Sequence, residues 1–180
     1  APVEGVTLSD LQALTAALLA CGTRVDEINT LRRRLDRVKG GGILRLANGA
    51  RVVSLILSDV VGNPLEAIAS GPTVPDPATR SQAMDILKIY RLFEKVPASI
   101  LHALEFGQET VKDSDPLLEQ AQNVLVGSNL LASQAALKQA QIEGFHPYLL
   151  RADLQGEARQ AAFELSTFLR HCRLTGAPVA

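Results

Sequence analysis

The stretch RVVSLILSDVVGNPLEAIASGPTVPDP, residues 51–77, decides how this chain is read. Its first eight residues, RVVSLILS, are rich in β-branched residues and almost continuously apolar, which is how a strand covered on both faces reads. The apolar run stops at an acid, Asp59. A loop rich in Gly, Pro, Ser and Thr then runs to residue 77 before helical spacing resumes. Loops of that length inside a domain are usually functional rather than merely connective. An acid at the end of a buried strand, followed by a long loop, is the first place to look for chemistry.

Working outward toward the C-terminus, NVLVGS at 123–128 reads as a second buried strand. A helix follows from about Asn129 to Gly144, then HPYLLR at 146–151 as a third strand, then a helix from Gly156 to Cys172. The closing residues APVA read as the start of another strand. Such alternation predicts a parallel sheet with helices on both faces. The expected fold class is therefore α/β, a three-layer α/β/α arrangement around a mostly parallel, Rossmann-like sheet.

Toward the N-terminus, Leu8, Leu11, Leu14 and Leu18 have helical spacing over 7–21, with Thr7 or Ser9 as cap and Gly22 as stop. A second helix over 25–38 carries Val25, Ile28, Leu31, Leu35 and Val38 on one face. Arg32, Arg33, Arg34 and Arg37 form its other face, expected to be solvated. Further helices are predicted at 78–92 and 97–107. The chain opens on a linker-like segment and closes on a nascent strand, so an incomplete domain is expected.

The totals exclude several classes. With 180 residues, 47% hydrophobic, the chain is long enough for one core. A net charge of −1 and 4% aromatics give no case for a nucleic-acid or anionic-membrane partner. No apolar run is long enough to span a bilayer, and APVEGVTLSD has no signal-peptide pattern. Cys21 and Cys172 make neither a disulfide framework nor a zinc spacing, so a reducing cytoplasm is expected.

Ligands of open parallel sheets bind beyond the carboxyl ends of the strands. Asp59 stands at such an end, either as general base or magnesium partner, or as a brace for the loop. Ser70, Gly71 and Thr73 form either an anion-approaching turn or an ordinary proline-set one. Ser128 and Asn129 open a helix, where an anion is favoured, but plain N-capping by either is the commoner explanation. Lys39 beside Gly40 and Gly41 suits a phosphate or carboxylate, or simply caps a helix. Arg32 lies one helical turn from Asn29. No P-loop motif is present, no GxGxxG follows a strand, and His102, His146 and His171 fall in unrelated elements.

Taken together, INTLRRRLDRVKGG, LILSDVVGNPLEAIASGPTVPDP, VLVGSN and LQGEA resemble, in order and spacing, the glycerate 2-kinases of the MOFRL type (DUF4147). The resemblance runs from about Thr7 to Ala180. It implies an ATP- and Mg2+-dependent kinase that converts D-glycerate to 2-phosphoglycerate. It also implies two α/β domains, with this chain the central part of the N-terminal one and the C-terminal MOFRL domain outside it. Carried over by position, Asp59 would be general base or metal partner, and Lys39 with Gly40 and Gly41 would contact phosphate or substrate. Asn29 and Arg32 would orient the glycerate carboxylate. Ser70, Gly71 and Thr73 would handle phosphate, with Ser128 and Asn129 at the nucleotide. The partners implied are D-glycerate, ATP and the remainder of the polypeptide, with a homodimer left open.

The chain departs from the family at three points. Asn63 stands where an acid is usual, Asp36 replaces a serine, and three glycines rather than two follow Lys39. The expectation is that the 180 residues alone carry half a site and little kinase activity. The alternatives are a non-catalytic nucleotide- or hydroxy-acid-binding module, a structural remnant that binds nothing, and a hydroxypyruvate reductase, an older assignment for such proteins. The last lacks a nicotinamide fingerprint here.

Overall fold

The structure is a computed structural model that describes residues 1–175, with the side chain of residue 175 left out. The closing APVA lies outside the described residues. Seven helices and two strands are described, in the order α1 (Leu8–Ala20), α2 (Val25–Leu35), α3 (Gly42–Leu46), β1 (Val52–Ser58), α4 (Arg80–Ile89), α5 (Ala98–Phe106), β2 (Ala121–Ser128), α6 (Asn129–Ile142) and α7 (Ala158–Thr175). Single 3-10 turns cover Ile68–Ser70 and Pro116–Gln120. The fold class is α/β with a parallel sheet, and among the described residues that sheet has two strands, β1 beside β2.

The helix limits follow from local chemistry. Thr7 accepts the Asp10 N–H while Asp10 accepts the Thr7 N–H, a reciprocal cap that starts α1. Thr79 and Gln82 do the same for α4. Asp36, at the end of α2, has extended dihedrals (φ −126°, ψ 129°), so the helix stops well before the predicted Val38.

Two compact units divide the chain: residues 1–55 with 64–124, and residues 56–63 with the chain from 125 onward. In the first, Leu14 and Leu18 of α1 pack with Ile28, Leu31 and Leu35 of α2, Ile86 and Leu87 of α4, and Ile100 and Leu104 of α5. Each fully buried leucine there contributes roughly 1.5–3 kcal/mol. In the second, no residue of α6 is buried.

Three expectations are corrected. Residues 146–151 form no strand: Pro147 offers no N–H, and Tyr148 is exposed to solvent. Next, β1 is not covered on both faces: Val53, Leu55 and Leu57 alternate outward and are 60–78% exposed. Finally, the arginine face of α2 is not uniformly solvated. Arg32 and Arg37 are exposed, but Arg33 and Arg34 are buried because each finds a carboxylate, Asp76 and Glu109 respectively.

Candidate functional site

The second unit holds the end of the decisive strand. Ser58, the last residue of β1, is buried, and its Oγ accepts the Val60 N–H at 3.1 Å. Ser58 therefore turns the chain. Asp59 is exposed, and its carboxylate has no hydrogen bond or ion pair among the described residues. Its backbone carbonyl is held instead, by Asn129 Nδ2 at 3.0 Å. Ser128 Oγ caps α6 by accepting the Leu131 N–H at 3.2 Å. Residues 60–63 close a tight turn, Asn63 N–H to Val60 carbonyl at 3.0 Å, with Gly62 and Asn63 both at positive φ. Asparagine is among the few side-chain-bearing residues that adopt this conformation readily.

This bond, made to the backbone carbonyl, sets a residue with a free carboxylate beside the first residue of a helix. A helix N-terminus attracts anions and a carboxylate repels them. Magnesium is commonly held by one or two carboxylates plus substrate phosphates, with water completing its shell. Asp59 fits that donor set. No cluster of three or more His, Cys, Asp or Glu occurs among the described residues, so an all-protein cage for a metal is not found there.

The first unit holds the rest of the candidates. The segment after α2 pairs with the loop after β1 in a short ladder. The Gly40 N–H donates to the Ser70 carbonyl at 3.0 Å and the Gly41 N–H to the Gly71 carbonyl at 2.8 Å. The Ile43 N–H donates to the Pro72 carbonyl at 3.2 Å. Lys39 Nζ donates to the Ala69 carbonyl at 3.1 Å. The N–H groups of Gly40 and Gly41 thus already have partners. Gly41 is required for another reason: at φ +78° a Cβ there would meet Val111 Cβ at 2.4 Å. The ammonium of Lys39 makes only that one bond, and so keeps two donors for a ligand.

The loop residues themselves are held in an uncommon conformation. Ala69, Ser70 and Gly71 all have positive φ, at 50°, 63° and 63°. For Ala69 and Ser70 this costs on the order of 1 kcal/mol or more each, strain that persists only where the surroundings fix it. It turns the buried Ser70 so that its hydroxyl lies 3.4 Å from Asn29 Oδ1. Thr73 is also buried, donating to Asn123 Oδ1 at 2.6 Å and accepting from Ser54 at 3.1 Å, which ties the loop to both strands. Asn29, Lys39 and Ser70 are brought together in this unit. Arg32 is not joined to Asn29; it opens on a leucine-lined cavity of about 450 Å³ that also reaches Lys39.

What fixes the strained loop is a network that the sequence reading missed. Arg33 donates through Nε to Asp76 Oδ1 at 2.7 Å, through Nη1 to the Glu66 carbonyl at 3.4 Å, and through Nη2 to Thr30 Oγ1 at 3.1 Å. Asp76 also accepts the Ala78 N–H at 3.0 Å and the Thr110 hydroxyl at 3.0 Å. Beside it Arg34 donates to Glu109 Oε1 at 2.6 Å. Burial raises the Glu109 carboxyl, but the Arg34 hydrogen bond and charge, with Lys112, outweigh it and lower its pKa to about 2. One signal was present: Arg34 falls three residues after Leu31, on the apolar stripe itself.

The family described as a domain of unknown function, DUF4147, matches residues 1–105, more than half of the chain. The chain belongs to the DUF4147 family. This DUF4147 chain is 40% identical to the glycerate 2-kinase of Pyrococcus horikoshii, over 98% of its own length and 40% of that relative's. It is 36% identical to the D-glycerate 2-kinase of Thermotoga maritima, over 99% of its length and 41% of that relative's. The crystal structure of a Thermotoga maritima glycerate kinase superposes with a TM-score of 0.84 at 35% identity, covering 99% of this chain and 41% of that one. The DUF4147 chain thus spans about two fifths of the length of these relatives.

Proposed function

We propose that the protein is a glycerate 2-kinase, transferring the γ-phosphoryl group of ATP to the C2 hydroxyl of D-glycerate. The observation that carries this reading is the free carboxylate of Asp59 at the end of β1, where Ser58 already does the bracing. The glycerate kinase relatives, about 40% identical over nearly the whole chain, support it. Because the chain spans only about a third to two fifths of those relatives, the activity is assigned to a polypeptide of their length, of which these residues would form part of the N-terminal α/β domain.

In this reading Asp59 serves as general base or holds Mg2+, while Ser128 and Asn129 lie toward the nucleotide. Bound there, Mg2+ would neutralise phosphate charge during transfer. Lys39, with its two remaining donors, and the Ser70 hydroxyl would bind oxygens of phosphate or substrate. Asn29 and Arg32 would orient the glycerate carboxylate. Gly40, Gly41, Gly71 and Thr73 would act through the loop they hold. The glycerate oxygen attacks the γ-phosphorus, the bond to the β-phosphate oxygen breaks, ADP leaves, and the hydroxyl proton is lost to a base. Phosphoryl transfer asks for positioning and charge neutralisation rather than covalent catalysis, and these are what such side chains offer.

A second reading, a binding module without turnover, is favoured by Asn63. It stands where the family usually has an acid, in a turn that suits asparagine. The two readings separate on product. D-Glycerate and Mg-ATP supplied to the intact gene product that carries this chain should give 2-phosphoglycerate, identified by phosphorus NMR. ATP binding with no 2-phosphoglycerate would sink the kinase reading and leave the module.

A further inference from the structure

We propose that a small oxyanion of the phosphate class binds in a second place, a cleft of the first unit between the end of α2, α3 and residues 108–110. The cleft encloses about 160 Å³. Five cationic side chains line it, Arg33, Arg34, Arg37, Lys39 and Arg45, against one carboxylate, Asp36. Asp76 neutralises Arg33 and Glu109 neutralises Arg34. The side chains of Arg37 and Arg45 have no hydrogen bond or ion pair among the described residues, and Lys39 touches only a neutral carbonyl. Among the described residues lining it only Asp36 opposes that charge, so the cleft carries an excess of positive charge.

A second observation is independent of that charge. Arg34 is only 5% exposed, and its Nε is buried with no hydrogen-bond partner. A buried charged donor left unsatisfied is costly, so this guanidinium, which is among the groups lining the cleft, keeps one donor without an acceptor. The backbone is built for the arrangement. A Cβ on Gly42 would lie 2.0 Å from the Arg37 carbonyl oxygen, so only glycine lets α3 begin against that carbonyl. This close approach puts Arg37 and Arg45 on one cleft.

Size and charge select the ligand class. The volume holds a small anion with a few waters and excludes a nucleoside. Guanidinium forks match the oxygens of phosphate and carboxylate. With Arg37, Lys39 and Arg45 facing Asp36, the surplus suits a charge near −2, that of a phosphate monoester at neutral pH, better than a single carboxylate. The site does not depend on the kinase reading, although Lys39 takes part in both.

The test is calorimetric titration of the intact gene product with inorganic phosphate and, in a second arm, glycerol 3-phosphate, each against chloride at equal ionic strength. Saturable millimolar or tighter binding is expected, at least tenfold weaker in Arg37→Gln/Arg45→Gln, with Mg-ATP binding unchanged. Preference for either phosphate supports the site and names its source. Should the double variant fail to fold, Arg45→Gln alone, on a half-exposed side chain, should weaken phosphate severalfold. No saturable binding, or wild-type affinity in the folded variants, would overturn the proposal. Loss of Mg-ATP binding together with phosphate would also overturn it, since that pattern describes a single shared site. Absence of kinase turnover would leave it standing.

Discussion

The Asp76 carboxylate, wholly buried, meets the guanidinium of Arg33 over 2.7 Å and also holds the Thr110 hydroxyl and the Ala78 N–H. Arg33 in turn reaches the carbonyl of Glu66, inside the loop that ends at Asp76. The pair therefore closes the loop on α2, beside the Gly40, Gly41 and Lys39 hydrogen bonds that hold the left-handed run at Ala69–Gly71. Removing one member of a buried pair leaves an uncompensated charge. Asp76→Ala should cost about 3–5 kcal/mol. Asp76→Asn, which keeps an acceptor for the Ala78 N–H, should cost less. Urea unfolding of both variants checks the order; equal, small losses would show that the pair does not clamp the loop.

Glu109 makes a prediction about acid. Its pKa in the folded state is about 2, below the ordinary 4.5, because Arg34 and Lys112 outweigh burial. A depressed carboxyl stabilises the fold fully above its unfolded value and loses that contribution as pH falls. The loss runs from near 4.5 down toward 2. The side chain is 41% exposed, so solvent screening keeps the contribution modest, about 1 kcal/mol or less. The stability gap between wild type and Glu109→Gln should be constant near neutrality and shrink across that acid window. A gap that widens on acidification would reverse the assigned sign.

Two glycines should respond differently to alanine. At Gly41 the new Cβ meets Val111 Cβ at 2.4 Å and the backbone is left-handed, so Gly41→Ala should cost about 2 kcal/mol or more. Val111→Ala in the same chain should recover only a small part, since it removes the two Cγ atoms but leaves the Cβ at 2.4 Å and the left-handed strain. At Gly127 the clash is with the tip of Leu57, an exposed and flexible side chain. Gly127→Ala should cost under about 1 kcal/mol, as Leu57 can turn away. Thermal unfolding of the three variants decides it; equal costs at both glycines would contradict the packing described.

Much of the fold was legible because it rests on local rules. Thr7, Gly22 and Thr79 punctuate helices as their chemistry requires, and VLVGS led into α6 as predicted. The 146–151 strand was misread because apolar residues there suggested a partner, while Pro147 and the absence of a neighbouring strand among the described residues prevent pairing. Irregular chain is what singled out Asp59 in one unit and Ser70 in the other as candidates. The network where residues 33, 76 and 110 meet was illegible, because hydrogen bonds between positions so far apart leave no periodic trace. A cluster of arginines looks the same in sequence whether its charges face water or buried carboxylates.

The most direct measurement compares Asp59→Asn with Ser58→Ala in the intact gene product, recording both unfolding midpoint and formation of 2-phosphoglycerate from D-glycerate and Mg-ATP. Asp59→Asn should unfold like wild type and lose about 100-fold or more in turnover, since its carboxylate holds nothing in the described fold. Ser58→Ala should instead lower stability by about 1 kcal/mol, because the half-buried Val60 N–H loses its acceptor. Turnover kept in Asp59→Asn, or lost only in step with its stability, would contradict the claim that Asp59 is free for chemistry.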